Sequence, residues 1–419
     1  MPAARPIRLV LRDDDLRRSR LTVFFRLFLA IPHLVWLVLW GIAAQVVIFI
    51  LWLAILIEGR APEILHDFVA GYLRYTTHVG AYLLLAANPF PGFRGAPRYP
   101  VDVEIDPPAR QSRWATLFRL LLVLPAVVIA GVLGGAFAVF SLGALYFNGV
   151  AGTAAFLVWF AALVRGRTPR GLRDLTTYAL GYGAQAGGYL LLLTDRYPSS
   201  DPVLPEPLPE LPEHPIRIAV TDELERSRLT VFFRLFLAIP HLVWLMLWGI
   251  AVFFAVVAAW FVALVIGRVP SGLHRFLAAY VRYSTHVYAY LTIVGRKFPG
   301  FTGREGSFGI DLHIDPPGPQ RRLLTLFRVF LAIPAFVVAG AVGNALWIVA
   351  LLGWWVGVVF GRMPEGLRNL GASCLRYSAQ TYAYLFLLTG RYPYASPVLE
   401  GRAEPVVEPL PAAVPGDAF

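Results

Sequence analysis

Residues 18–37 read RSRLTVFFRLFLAIPHLVWL, and the same string returns unchanged at residues 226–245. A segment copied letter for letter within one chain makes internal repetition the first fact about the fold. Working outward, the match relates roughly residues 7–200 to 216–400, and each half divides again. Phe-Arg followed by a run ending in proline marks four units, at Phe25-Arg26, Phe118-Arg119, Phe233-Arg234 and Phe327-Arg328. Gly-Arg-x-Pro closes each run, at Gly59, Gly166, Gly267 and Gly361. The two arginine marks are equally spaced in units one, three and four. In unit two they lie further apart, and Gly143, Asn148 and Gly149 read as an added loop or helix extension. The units fall at 1–100, 101–200, 216–308 and 309–397. A proline-rich linker at 201–215 separates the halves, and a disordered tail is expected at 398–419.

Composition sets the solvent. Of 419 residues 57% are hydrophobic and 15% charged, and mean hydropathy is +0.62. Soluble domains hold about 25% charged residues. The apolar excess is concentrated in runs such as 31–57 and 330–360, long enough for a bilayer crossing of about 20 residues. The net charge of +11 then reads as topology and attraction to anionic headgroups. No basic stripe interleaved with aromatics points to nucleic acid. The first apolar run follows Arg17, Arg18 and Arg20 as a signal sequence would. Its exact recurrence in mid-chain makes it an uncleaved anchor instead. Cys374 is the only cysteine, which excludes an internal disulfide and reads as a buried, inert thiol.

Each unit opens with period-two alternation, seen at Ile7, Leu9, Leu11; Val101, Val103, Ile105; Ile216, Ile218, Val220; and Ile310, Leu312, Ile314. This is the pattern of a half-buried strand. Four such strands are expected to share one small cytoplasmic sheet, since a lone hairpin is marginal. The apolar segment from Arg26 to Arg60 would be about 51 Å long as one helix, against a hydrocarbon core of about 30 Å. Two solutions exist. Either 16–31 lies at the interface and 32–57 spans after a kink at Pro32, which is preferred, or the run folds back near Trp40-Gly41. A third helix is expected over Glu63–Ala87, with Arg74 and His78 off its apolar stripe. It either crosses, giving about eight transmembrane helices in an all-α multi-pass protein, or lies flat as an amphipathic interfacial helix. Placing strands and termini on one side and the Gly-Arg-x-Pro turns on the other puts most basic residues on the strand side, hence in the cytoplasm.

Candidate ligand- or lipid-binding residues follow from the repeats. The Phe-Arg arginines Arg26, Arg119, Arg234 and Arg328 recur in every unit, at a depth suited to lipid phosphate or to simple interfacial anchoring. Arg74 with His78, Arg282 with His286, and Arg376 with Gln380 each lie four apart, on one helix face. They suit a polar, pH-sensitive lining between units, or interfacial side chains that snorkel to the headgroups. No catalytic motif, no metal-ligand spacing and no cofactor loop is present.

The run 25–33, the Gly-Arg-x-Pro mark, Tyr72-Leu73-Arg74-Tyr75 and unit ends such as Asn88-Pro89-Phe90-Pro91 and Asp195-Arg196-Tyr197-Pro198 together resemble a prokaryotic membrane family, domain of unknown function 4389. The resemblance covers about residues 7–400 as a tandem array. Unit two departs from it, with Gly181 where the others carry arginine. The resemblance implies a location in the cell membrane and no assigned activity, so it supplies no functional residues. The expected function is non-enzymatic binding or organisation of anionic lipid, or of a small amphiphile, between the repeats. The alternative is a transporter or channel with an Arg/His-lined path.

Overall fold

The computed structural model describes residues 5–12, 15–134, 149–204 and 212–399. Gly143 and Asn148 of the unit-two insertion, the middle of the linker and the tail beyond Leu399 lie outside them. Unit one contains β1 (Ile7–Leu11), α1 (Arg20–Glu58) and α2 (Glu63–Leu83). Unit two contains β2 (Val101–Ile105), short helices α3 (Arg113–Leu117), α4 (Arg119–Leu122) and α5 (Leu124–Leu133), then α6 (Gly149–Arg165) and α7 (Arg170–Leu190). Unit three repeats unit one with β3 (Ile216–Val220), α8 (Arg228–Ile266) and α9 (Ser271–Leu291). Unit four contains β4 (Ile310–Ile314), α10 (Arg322–Leu326), α11 (Arg328–Phe360) and α12 (Glu365–Leu385).

The long helices do not divide as expected. α1 runs unbroken through Pro32 and Trp40-Gly41, and α8 and α11 run through Pro240 and Pro334. A proline removes one backbone donor but leaves the apolar periodicity on both sides intact, and that periodicity wins. Val23, Arg26, Ala30, His33, Leu37, Ala44, Leu51 and Ile55 form the buried stripe of α1, and the opposite face carries apolar side chains open to the outside from Leu21 to Ile57. The helix stops at Gly59, whose φ of 73° is the left-handed turn that glycine adopts without a Cβ clash. Pro62 then starts α2.

Among the described residues, three helices are long and apolar enough to cross a membrane: α1, α8 and α11. Eight crossings are not supported, because the third helices α2, α7, α9 and α12 are the inner layer. Most of their residues are buried against the long helices, against one another and against the strands. Polar residues such as His66, Thr77, His78 and Gln380 therefore face protein, while Asp67 and Glu365 stay exposed.

The strands form two separate antiparallel pairs, β1 with β2 and β3 with β4, not one four-stranded sheet. Ile7 pairs with Ile105 and Leu11 with Val101. Each strand lies across the third helix of the partner unit: β1 on α7, β2 on α2, β3 on α12 and β4 on α9. Packing on a helix supplies the support that an isolated hairpin lacks. Gly188 shows how close this is, since a Cβ there would stand 1.8 Å from Cδ1 of Ile7.

The units of a pair also close on each other reciprocally. Arg18 N donates to Gly166 O at 2.9 Å, and Gln111 N donates to Gly59 O at 2.9 Å. Arg226 N to Gly361 O and Gln320 N to Gly267 O, both 2.8 Å, repeat this in the second half. The start of each long segment thus meets the turn of its partner, and the two long segments run antiparallel. Turns and starts, assigned to opposite sides from the sequence, are hydrogen-bonded neighbours, and the cytoplasmic assignment of the strands loses its basis. The reciprocity and the strand register together define a local two-fold axis through the centre of each strand pair, perpendicular to it.

Candidate functional site

Three constellations recur, and the first is built four times. Each third helix ends in a turn whose next residue is left-handed without being glycine: Leu85, Leu192, Ile293 and Leu387, with φ between 62° and 66°. Such a conformation is costly for a branched side chain. The Phe-Arg arginine holds it. Arg26 Nη1 donates to Tyr82 O (2.7 Å) and Ala87 O (3.1 Å), and its guanidinium lies 4.3 Å from the centre of the Tyr82 ring. Arg119 bonds Tyr189 O and Thr194 O, Arg234 bonds Tyr290 O and Gly295 O, and Arg328 bonds Tyr384 O and Thr389 O. Positive charge at a helix C-terminus, with donors aimed at its free carbonyls, satisfies both the dipole and the acceptors. Arg26 is only 2% exposed. Its guanidinium is turned into the protein, away from any headgroup.

A second polar residue, eight positions earlier, completes the clasp and was missed in the sequence. In units one and three it is arginine: Arg18 donates to Ala86 O and Arg226 to Val294 O. In units two and four it is glutamine. Gln111 Nε2 donates to Leu192 O while its Oε1 accepts from Arg119, both at 2.7 Å, and Gln320 does the same with Leu387 O and Arg328. A polar side chain fixed eight residues before every Phe-Arg arginine was the available signal.

The second constellation joins a third helix to a strand in units one and three. His78 Nε2 lies 2.8 Å from Oδ1 of Asp102 on β2, and Arg74 Nε donates to Val103 O at 3.1 Å. His286 and Asp311 lie 2.7 Å apart, with Arg282 Nε on Leu312 O. Tyr99 stacks on His78, and Phe308 on His286. Burial alone would raise the Asp102 carboxyl, but the hydrogen bonds from His78 and from the N–H groups of Arg98 and Val103 outweigh it and hold it at about 2. The Asp311 carboxyl is lowered in the same way. Glutamines stand at the equivalent positions of units two and four, and Gln380 reaches its strand with an amide. Gln380 donates to Ile216 O and accepts from Tyr394 N, and Gln185 accepts from Ser199 N. Arg376 donates to the carbonyls of Ser396 and Val398, and these tie the chain through the buried Val398 and Leu399, residues expected at the start of the tail.

The third is a histidine cage, again in units one and three. His33 Nδ1 lies 2.7 Å from Tyr75 Oη, and its ring packs against Phe90 and Phe93 at 4.3 and 4.6 Å. His241 meets Tyr283, Phe298 and Phe301 in the same arrangement. Units two and four carry Ala126 and Ala335 at this position.

The sequence candidates are thus brought together in pairs with backbone and strand partners, and not with one another around a shared opening. Arg74/His78, Arg282/His286 and Arg376/Gln380 occupy separate places on α2, α9 and α12. Nδ1 of His286 has no hydrogen-bond partner among the described residues. No group of three or more His, Cys, Asp or Glu side chains gathers in a metal-binding arrangement among the described residues. Cys374 is buried.

Long apolar helices wrapped around an inner layer of arginine-capped helices define a tandem-repeat protein of membrane type. The chain belongs to the family described as Domain of unknown function (DUF4389), which matches residues 20–94, 144–200, 228–302 and 322–396. No curated protein and no solved structure matches the chain.

Proposed function

We propose that this is a non-enzymatic protein of the cell membrane that embeds its long helices in the bilayer and binds or organises anionic lipid around and between its repeats. One observation carries the reading. The exposed face of α1 is apolar from Leu21 to Ile57 apart from Gln45 and is bounded by exposed arginines, Arg17 and Arg20 at one end and Arg60 at the other. Unit three repeats it between Arg228 and Arg268. Apolar surface bordered by basic side chains matches acyl chains bordered by anionic headgroups. Lipid contact falls to these rim arginines, because Arg26, Arg119, Arg234 and Arg328 already serve the helix ends. Arg74 and His78 are tied to β2, which favours the lipid reading over transport along a path they would line.

The test is lipid co-purification. The chain extracted in mild detergent should retain anionic lipid in excess of its share of the source membrane. The fourfold variant with Arg20, Arg60, Arg228 and Arg268 changed to Gln should fold normally and lose that excess. Equal lipid composition in the two preparations would overturn the proposal.

A further inference from the structure

The long helices do not match a bilayer crossing in length. α1 and α8 each have 39 residues, about 58 Å at 1.5 Å per residue, and their exposed apolar faces extend from Leu21 to Ile57 and from Leu229 to Ile266. To hold such a face within about 30 Å of hydrocarbon, a crossing helix would need to tilt by about 60°, when spanning helices tilt by about 20° on average and 40° at most.

The strand pairs give an independent argument. Each pair sits on a local two-fold axis that exchanges the two antiparallel long segments, so it lies midway between their ends. The outer face of the first pair carries Arg8, Arg12, Glu104 and Asp106 in partly exposed ion pairs. The second carries Arg217, His313 and Asp315. If the long helices crossed the membrane, these charges would stand at its centre and face lipid, where unsheltered ionic groups are not found. Along that axis the start and the end of α1 stand at equal height, and both ends carry exposed arginine.

We infer that the long helical segments lie in the plane of the bilayer within one leaflet, with the strand pairs and both ends of every long helix on the same aqueous side. The partner surface is the acyl region of a single leaflet, rimmed by headgroups that meet the helix-end arginines. This orientation rests on the membrane reading proposed above and adds its geometry.

Single cysteines at Arg8, Arg20 and Glu58, in a Cys374→Ser background, test it by labelling with a membrane-impermeant maleimide in sealed vesicles of known sidedness. All three positions should label from one side, and labelling from the other side should be lost until the vesicles are opened. The pair Arg228→Cys and Arg268→Cys repeats the measurement in unit three, should one variant of unit one fail to fold. Labelling of 20 and 58 from opposite sides overturns the in-plane orientation and leaves the lipid reading standing. Failure of all positions to label in intact vesicles of either orientation also overturns it. Recovery of the chain from the soluble fraction without detergent overturns both.

Discussion

Units one and three differ from units two and four in how they fasten a strand to a third helix, and agree in how they end that helix. The arginine clasp is present in all four, with guanidinium-to-ring distances of 4.2–4.5 Å. The ion pair to a strand aspartate is present in two; in unit four Gln380 bonds Ile216 O of β3 in its place, and in unit two Gln185 accepts from Ser199 N outside the strands. The clasp answers a demand that every unit shares, since the turn at a left-handed leucine or isoleucine leaves buried carbonyls that the guanidinium and the polar side chain eight residues before it cap together. The strand contact needs only one polar bond across a packed interface, and an amide or an imidazole–carboxylate pair will serve.

That contrast can be broken in order of effect. Arg26→Met should cost about 3 kcal/mol or more, because charged hydrogen bonds are lost and buried carbonyls are left bare. The same change at Arg119, Arg234 or Arg328 should cost a similar amount. Thermal unfolding in detergent checks this, and a large cost in one unit beside a negligible one in another would refute a shared role.

Asp102→Asn should cost about 2 kcal/mol near neutral pH, the linkage value of a carboxyl held below its ordinary 3.8 at about 2. Because the folded value is depressed, this stabilisation is present above about pH 4 and is lost as pH falls toward 2. Unfolding curves between pH 6 and 2 should therefore converge for wild type and Asp102→Asn. Gln185→Ala should show a cost that does not change over that range. Least of all, Arg8→Ala should change stability by about 0.5 kcal/mol or less, since its ion pairs to Glu104 and Asp106 are partly exposed.

The sequence makes the repeats, the element order and the turns legible. Gly-Arg-x-Pro announces a left-handed glycine and a helix start, and the alternation at Ile7, Leu9 and Leu11 announces a strand. The partners are not legible. The acceptors of Arg26 are main-chain carbonyls, which no letter records, so a buried cap and an interfacial anchor look alike. The crossing of β1 onto α7 depends on antiparallel pairing of units far apart in sequence. In hindsight Gly188 carries a trace of it, because the close approach of Ile7 needs a residue without a Cβ. A Cβ at Gly181 would meet Leu9 of β1 only at an ordinary 3.5 Å, and nothing in the structure explains the missing arginine of unit two.

The reciprocal bonds between starts and turns impose a parity rule. Gly59 receives Gln111 while Gly166 receives Arg18, so two units form a closed circuit. An odd unit would leave one start and one turn with idle backbone groups and one strand without a helix to lie on. Arrays of this design are expected to grow by twos, and a lone unit made as a separate chain would complete itself only by pairing with a second copy about the same two-fold axis.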